Sequence, residues 1–272
     1  MDLYSGDSYT QTEFTVDGTQ PSTTNPMGNP MGNPTLGECY PPEQILIIQI
    51  GTGTTSGGTN WVGYLTTLYN ASPVLSYNFA VGGATIDNSI VDTKVKDVTS
   101  QVRDFELAYS EKPISAPWSS DNAVIGWGHQ NAQPSVLVPT LMAQYKFLIE
   151  KLYASGGRKF LFLNVPPTDR SPMAIKEGSE AVKTYATWMK AYNDVMMIYV
   201  FISYIVSIKL TWPQTTIVLY DTWSFMPKIL DDPQTYGFPN AMYFNENGTS
   251  CIWWNHYHPG QNHHKLQAAD MI

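Results

Sequence analysis

The side chains best suited to covalent chemistry are a serine in Gly6-Asp7-Ser8-Tyr9 and two histidines in Trp254-Asn255-His256-Tyr257-His258-Pro259. Serine is a weak nucleophile until a base takes its proton, and the tetrahedral state it forms needs donors aimed at its oxyanion. Gly6 permits a tight turn and Asp7 can bond neighbouring backbone, which would present Ser8 at the start of a helix or loop. The same three residues also make an ordinary turn with a helix cap. In an extended loop His256 and His258 fall on one side, so spacing alone leaves either as the base.

The elements that would hold these residues alternate. Residues 15–37 read as loop, with Pro21, Pro26, Pro30 and Pro34 interleaved with glycine and asparagine. Ile45 to Ile50 is a β-branched run between Pro42 and Gly51, which predicts a strand. Gly51, Gly53, Gly57 and Gly58 have the spacing of a phosphate cradle but no lysine follows. Trp61, Tyr64, Leu65 and Leu68 fall at helical spacing from Asn60. A strand is expected over Val74–Val81 before Gly82-Gly83, a helix over Val98–Tyr109 and a short strand at Ala123–Ile125. A helix over Leu141–Tyr153, stopped by Gly156-Gly157, leads into the buried strand Lys159–Val165, closed by Pro166-Pro167.

A further helix is predicted over about Glu180–Ile208, then a strand over Thr216–Tyr220, a loop-rich stretch to Pro259 and a last helix from Gln261. Val195 to Ile208 is apolar nearly all round but short of the roughly twenty residues of a membrane span, so a buried helix is expected. Strands alternating with helices predict an α/β fold with a parallel, doubly wound sheet. Ligands of such sheets bind at the carboxyl ends of the strands, where Ser8, Gly83, the loop after Ile125 and His258 would meet.

Composition narrows the partners. Of 272 residues 43% are hydrophobic, enough for a core, while only 14% are charged and 13% are aromatic. A net charge of -8 and a pI near 5.0 argue against nucleic acid, whose phosphates call for lysine and arginine. Cys39 and Cys251 match no metal-ligand spacing, and the sequence leaves open whether they pair. Asn70-Ala71-Ser72 and Asn247-Gly248-Thr249 fit the glycosylation pattern, the first weakened by Pro73. No signal peptide is read in Met1-Asp2-Leu3, so a secreted protein would be in mature or trimmed form.

Five stretches in order carry a family resemblance: Gly6–Thr10, Gly18–Ser22, Asn78–Thr85, Asn164–Arg170 and Trp253–Gly260. The chain resembles the SGNH (GDSL-type) hydrolases, and among them the fungal secreted acetylesterases of carbohydrate esterase family sixteen. The resemblance implies a single domain over residues 1–272, a three-layer α/β/α sandwich with a mainly parallel, flavodoxin-like sheet, with an insertion within about residues 15–58. It implies removal of acetyl groups from sugars without metal or cofactor. Ser8 resembles the nucleophile and first oxyanion donor, Gly83 the second backbone donor, and His258 the general base. An extracellular location and a monomer acting on acetylated oligosaccharide are expected, with no nucleic-acid or membrane partner.

The chain departs from the pattern in four places. The family's third block, Trp-Ile-Gly-Ile-Asn-Asp, supplies an asparagine to the oxyanion hole, whereas this chain reads Ile125-Gly126-Trp127-Gly128-His129-Gln130-Asn131. Matching Trp127 and Gly128 with one deletion puts Gln130 at that place; matching Ile125-Gly126 puts Gly128 there. Loss of one oxyanion donor costs on the order of a hundred- to a thousandfold in turnover. Asn255 stands where the family has the aspartate of the triad, so a Ser–His dyad oriented by an amide is expected. Ser5 replaces the usual phenylalanine, and Thr35–Thr54 is longer than the family's loop. Two other readings use the same chain. One is a non-catalytic relative binding carbohydrate through Trp61, Trp253 and Trp254; the other is a lipolytic esterase of wider acyl range. His256, His263 and His264 are read as solvated surface residues beside His258.

Overall fold

The computed structural model describes residues 55–71, 76, 78–109, 121–125, 134–198 and 215–272. Three strands, β1 (Asp121–Ile125), β2 (Gly157–Leu163) and β3 (Thr216–Tyr220), form a parallel sheet in the order β1-β2-β3. The register sets Val124 beside Leu161 and Leu161 beside Val218. All three carboxyl ends therefore lie along one edge, at Ile125, Leu163 and Tyr220. Parallel neighbours need long crossovers, and α3 (Pro134–Ala154) makes the first of them.

Alternation along β2 sorts the layers. Phe160 and Phe162 face a core built with Val98 and Val102 of α2 (Val98–Tyr109), with Leu141, Tyr145, Leu148, Ile149 and Leu152 of α3, and with Met189, Tyr192 and Met196 of α5 (Ser179–Met196). Leu161 and Leu163 face the other way, against Trp61 and Val62 of α1 (Trp61–Thr67) and Ala268 of α7 (Gln261–Asp270). A parallel sheet buried on both faces by helices is the doubly wound arrangement that the alternation predicts and the α/β/α sandwich that the resemblance implies. A third cluster joins Phe225, Met226, Ile229 and Leu230 of α6 (Thr222–Asp231) to Ile252 and Trp253.

The helix ends follow their side chains. Asn60 caps α1 by accepting from Gly63 N at 3.1 Å. Asp97 accepts from Ser100 N at 2.7 Å before α2 and from Asn88 N at 2.8 Å. Ser171 caps α4 (Pro172–Glu177), with Pro172 in the first turn where no amide is needed. Gly178, at φ 102°, separates α4 from α5.

Several expectations need correction. The helix before β2 begins at Pro134 rather than Leu141, because Pro139 sits on its exposed side, where its ring and missing amide are tolerated. The stretch after β3 is not all loop: Asp221 accepts from Ser224 N and starts α6. Of the strand expected over Val74–Val81, the described residues form only one bridge, at Asn78. The predicted helix to Ile208 is regular to Met196, and most of its apolar second half lies outside the described residues. No helix among the described residues is long and apolar enough to cross a membrane. The run Ile45–Ile50, Cys39 and residues 15–54 of the expected loop and insertion also lie outside the described residues, while Cys251 is a buried free thiol.

Candidate active site

The carboxyl edge of the sheet is tied together by asparagines. Asn164, directly after β2, donates to Asp221 Oδ1 at 2.6 Å and accepts from Trp223 N at 3.0 Å and Thr222 Oγ1 at 2.7 Å. It thereby joins the exit of β2 to the start of α6. Burial disfavours ionisation of Asp221, but hydrogen bonds from Ser224 and Asn164 outweigh it and hold the carboxyl below its ordinary value. Asn193 of α5 pairs with both backbone groups of Val165, accepting at 2.8 Å and donating at 2.9 Å. The sequence block Asn164–Arg170 is thus a brace. Asp221 carried a signal that the sequence reading missed, an N-cap residue right after a strand; Asn193 carried none, being one polar residue in an amphipathic helix.

The brace reaches the histidine loop. His256 O accepts from Met173 N of α4 at 2.8 Å, and Arg170 pairs with Asp231 of α6 at 2.7 Å. The loop is a closed hairpin: Trp254 N donates to His258 O at 2.8 Å and Gly260 N to Ile252 O at 2.7 Å. Trp253, fully buried, anchors it with its indole N–H on Ala241 O at 2.8 Å. Trp254 donates its indole N–H to Glu246 O at 2.9 Å and lies against Gly57. Gly57 has φ +69°, and a Cβ there would sit 2.6 Å from Trp254 Cδ1. The space of the supposed phosphate cradle is therefore filled, at Gly57 by an indole and at Gly58 by the side chain of Gln261.

Asn255 decides the state of His258. Its Oδ1 accepts from Tyr257 N at 2.9 Å and His258 N at 2.7 Å, which fixes the oxygen end of the amide. The same oxygen lies 3.2 Å from His258 Nδ1. An oxygen can only accept here, so Nδ1 carries a proton, and in the neutral ring Nε2 carries the lone pair. That is the tautomer a general base needs. The half-buried imidazole is flanked by Tyr257, edge-on at 5.1 Å, and Trp254 at 6.4 Å between centroids.

Asn255 and His258 are thus brought together as a unit. Gly83 lies at φ 78° in an exposed turn, and its N–H has no hydrogen-bond partner among the described residues. Ser8 and Gln130 lie outside the described residues, as does the rest of the third block. His256 is exposed, but His263 and His264 are buried, contrary to expectation. They sit on the inner side of α7, and His263 packs edge-on to Phe225 at 5.8 Å. Trp61 and Trp253 are core residues, which removes two of the three aromatics suggested for sugar binding.

A model of the GDSL-like lipase/acylhydrolase family matches residues 5–271. The chain belongs to this family. It is also 36% identical, over 276 aligned positions, to an acetylesterase of Thermothelomyces thermophilus, covering 97% of this chain and 84% of that relative. The parallel sheet between helical layers is the SGNH hydrolase fold, and the chain is a carboxylic ester hydrolase.

Proposed function

We propose that this GDSL hydrolase is an extracellular, monomeric serine esterase removing acetyl groups from carbohydrate esters such as hemicellulose oligosaccharides. The observation that carries the proposal is the Asn255–His258 pair, in which Nε2 is left as the proton acceptor. Ser8 Oγ attacks the acetyl carbonyl while His258 Nε2 takes its proton. The oxyanion is met by the N–H groups of Ser8 and Gly83, with Gln130 as the side-chain donor. Collapse breaks the bond to the sugar oxygen, which leaves with the proton from His258, and the acetyl group remains on Ser8. Water, deprotonated by His258, then releases acetate and restores the serine. No cofactor enters these steps. The acetylesterase name of the relative supports the acyl group, and Asn255 in place of a carboxylate supports a dyad rather than a full triad.

The test is release of acetate from acetylated xylo-oligosaccharides and of nitrophenol from its acetate ester by the purified chain. Ser8→Ala and His258→Ala are expected to abolish both. Undiminished activity in either variant refutes the assignment, and activity lost in His256→Ala alone moves the base to His256. The exposed run Met242, Tyr243 and Phe244, bridged at Phe244 to Trp253 in the histidine hairpin, favours a second reading with longer acyl chains. A rise in kcat/KM from acetate to butyrate and octanoate esters would select that reading over the acetyl one.

A further inference from the structure

Two sequons occur in the chain, and the structure separates them. Asn70 is half-buried after α1, and its Nδ2 donates to Thr66 O at 2.6 Å. The nitrogen that would carry a sugar is thus engaged with a helix end, and Pro73 follows the sequon in sequence. Asn247 is exposed. Its Oδ1 accepts from Thr249 N at 2.9 Å, Ser250 N at 3.1 Å, Ser250 Oγ at 3.0 Å and Thr249 Oγ1 at 3.4 Å. Every one of those bonds uses the amide oxygen, and Nδ2 has no partner among the described residues. The next residue, Gly248, is buried at φ +69° with its backbone against Ser56, Gly57 and Gly260. The turn is therefore pinned by its backbone on the inner side and presents its amide nitrogen on the outer side.

We propose that Asn247 is an N-glycosylation site and that Asn70 is not. The co-reactant is a polyprenyl-pyrophosphate-linked oligosaccharide supplied by the transferase of a secretory compartment. A bond forms between Asn247 Nδ2 and the sugar C1, the C1–O bond to pyrophosphate breaks, and the lipid pyrophosphate leaves. One amide proton goes to the transferase. The Asn247 oxygen keeps all four of its acceptor contacts in the product, so the turn survives the modification. At Asn70 the attached sugar would replace a proton of the nitrogen that binds Thr66 O.

The experiment secretes the whole chain from a eukaryotic host behind a host leader, and recovers it from medium and lumenal membranes together. Treatment with a peptide N-glycosidase in heavy-oxygen water marks each carrier asparagine as labelled aspartate, read by peptide mass spectrometry. Label at Asn247 with little or none at Asn70 is expected. Asn247→Gln should remove the glycan mass, and Asn70→Gln should leave it. Because Asn247 also holds its turn, Thr249→Ala and Thr249→Ser provide the second arm: both keep Asn247, the first should lose the glycan and the second should keep it. Unlabelled Asn247 in the recovered chain, equal label at both sites, or a glycan persisting in Thr249→Ala overturns the proposal.

Discussion

His263 makes the stability of this protein depend on pH in a direction that can be worked out. Its side chain is 3% exposed, packed against Phe225 and His264, and neither ring nitrogen has a hydrogen-bond partner among the described residues. Burial, with a smaller contribution from His264, lowers its pKa from 6.5 to about 3. The folded protein therefore keeps the ring neutral at pH values where the unfolded chain protonates it. A histidine depressed in this way leaves stability intact above about pH 6.5. Stability is then lost at about 1.4 kcal/mol per pH unit until the folded pKa is reached. At pH 5 the loss from this residue is about 2 kcal/mol, a large share of the roughly 5–15 kcal/mol that holds a typical domain. Urea unfolding at pH 7.5 and pH 5 of the parent and of His263→Leu measures it. The two should differ by no more than about 1 kcal/mol at pH 7.5, since leucine fills a similar volume and no described bond is lost. At pH 5 the variant should be the more stable by about 2 kcal/mol relative to that baseline. Equal pH slopes for the two proteins would refute the reasoning.

Asn255→Asp keeps an oxygen toward all three N–H groups and adds a charge that stabilises the imidazolium, so kcat/KM for an acetate ester should rise roughly tenfold, whereas Asn255→Ala should lower it on the order of a hundredfold. An unchanged pH–rate profile in Asn255→Asp would argue against contact between the two side chains. Gly57→Ala places a methyl against Trp254 at a positive φ, so it should destabilise by about 1–3 kcal/mol and lower kcat through the hairpin that carries His258; thermal melts and steady-state kinetics read both. Asn193→Leu strands the buried N–H and carbonyl of Val165, and should cost about 2–5 kcal/mol in urea unfolding.

Much of the fold was legible because its signals are local. The apolar run in β2, the helix start at Asn60 and the glycine stop at Gly156 each act within a few residues. The helix after β3 was missed because Pro227 and the surrounding mixed residues hide its period, although Asp221 and Ser224 form its cap. The buried histidines were misread because polarity alone says nothing of which face of α7 is turned inward. At the candidate site, the placing of Asn255 beside His258 was legible by motif, but the hydrogen bonds that orient the amide run through backbone N–H groups that no residue type announces. The contact of Gly57 with Trp254 joins positions 197 residues apart, beyond any pattern of spacing.

The seating of Gln261 has a consequence for the order in which the protein is made. Its backbone N–H donates to Ser56 O at 2.9 Å and its side chain to Gly57 O at 3.1 Å, which fixes the turn ahead of α1 to the base of the histidine hairpin. The principal core, by contrast, draws its buried residues from Phe79 to Met196. A ribosome therefore delivers the main hydrophobic mass of the protein long before it delivers the hairpin and the clasp behind it. A chain that stops short of Ile252 has the means to collapse around β2 but carries neither His258 nor the contacts that seat α1. The seated histidine is therefore acquired after the main core has been made, and a chain stopped before the hairpin lacks it whatever structure it has already gained.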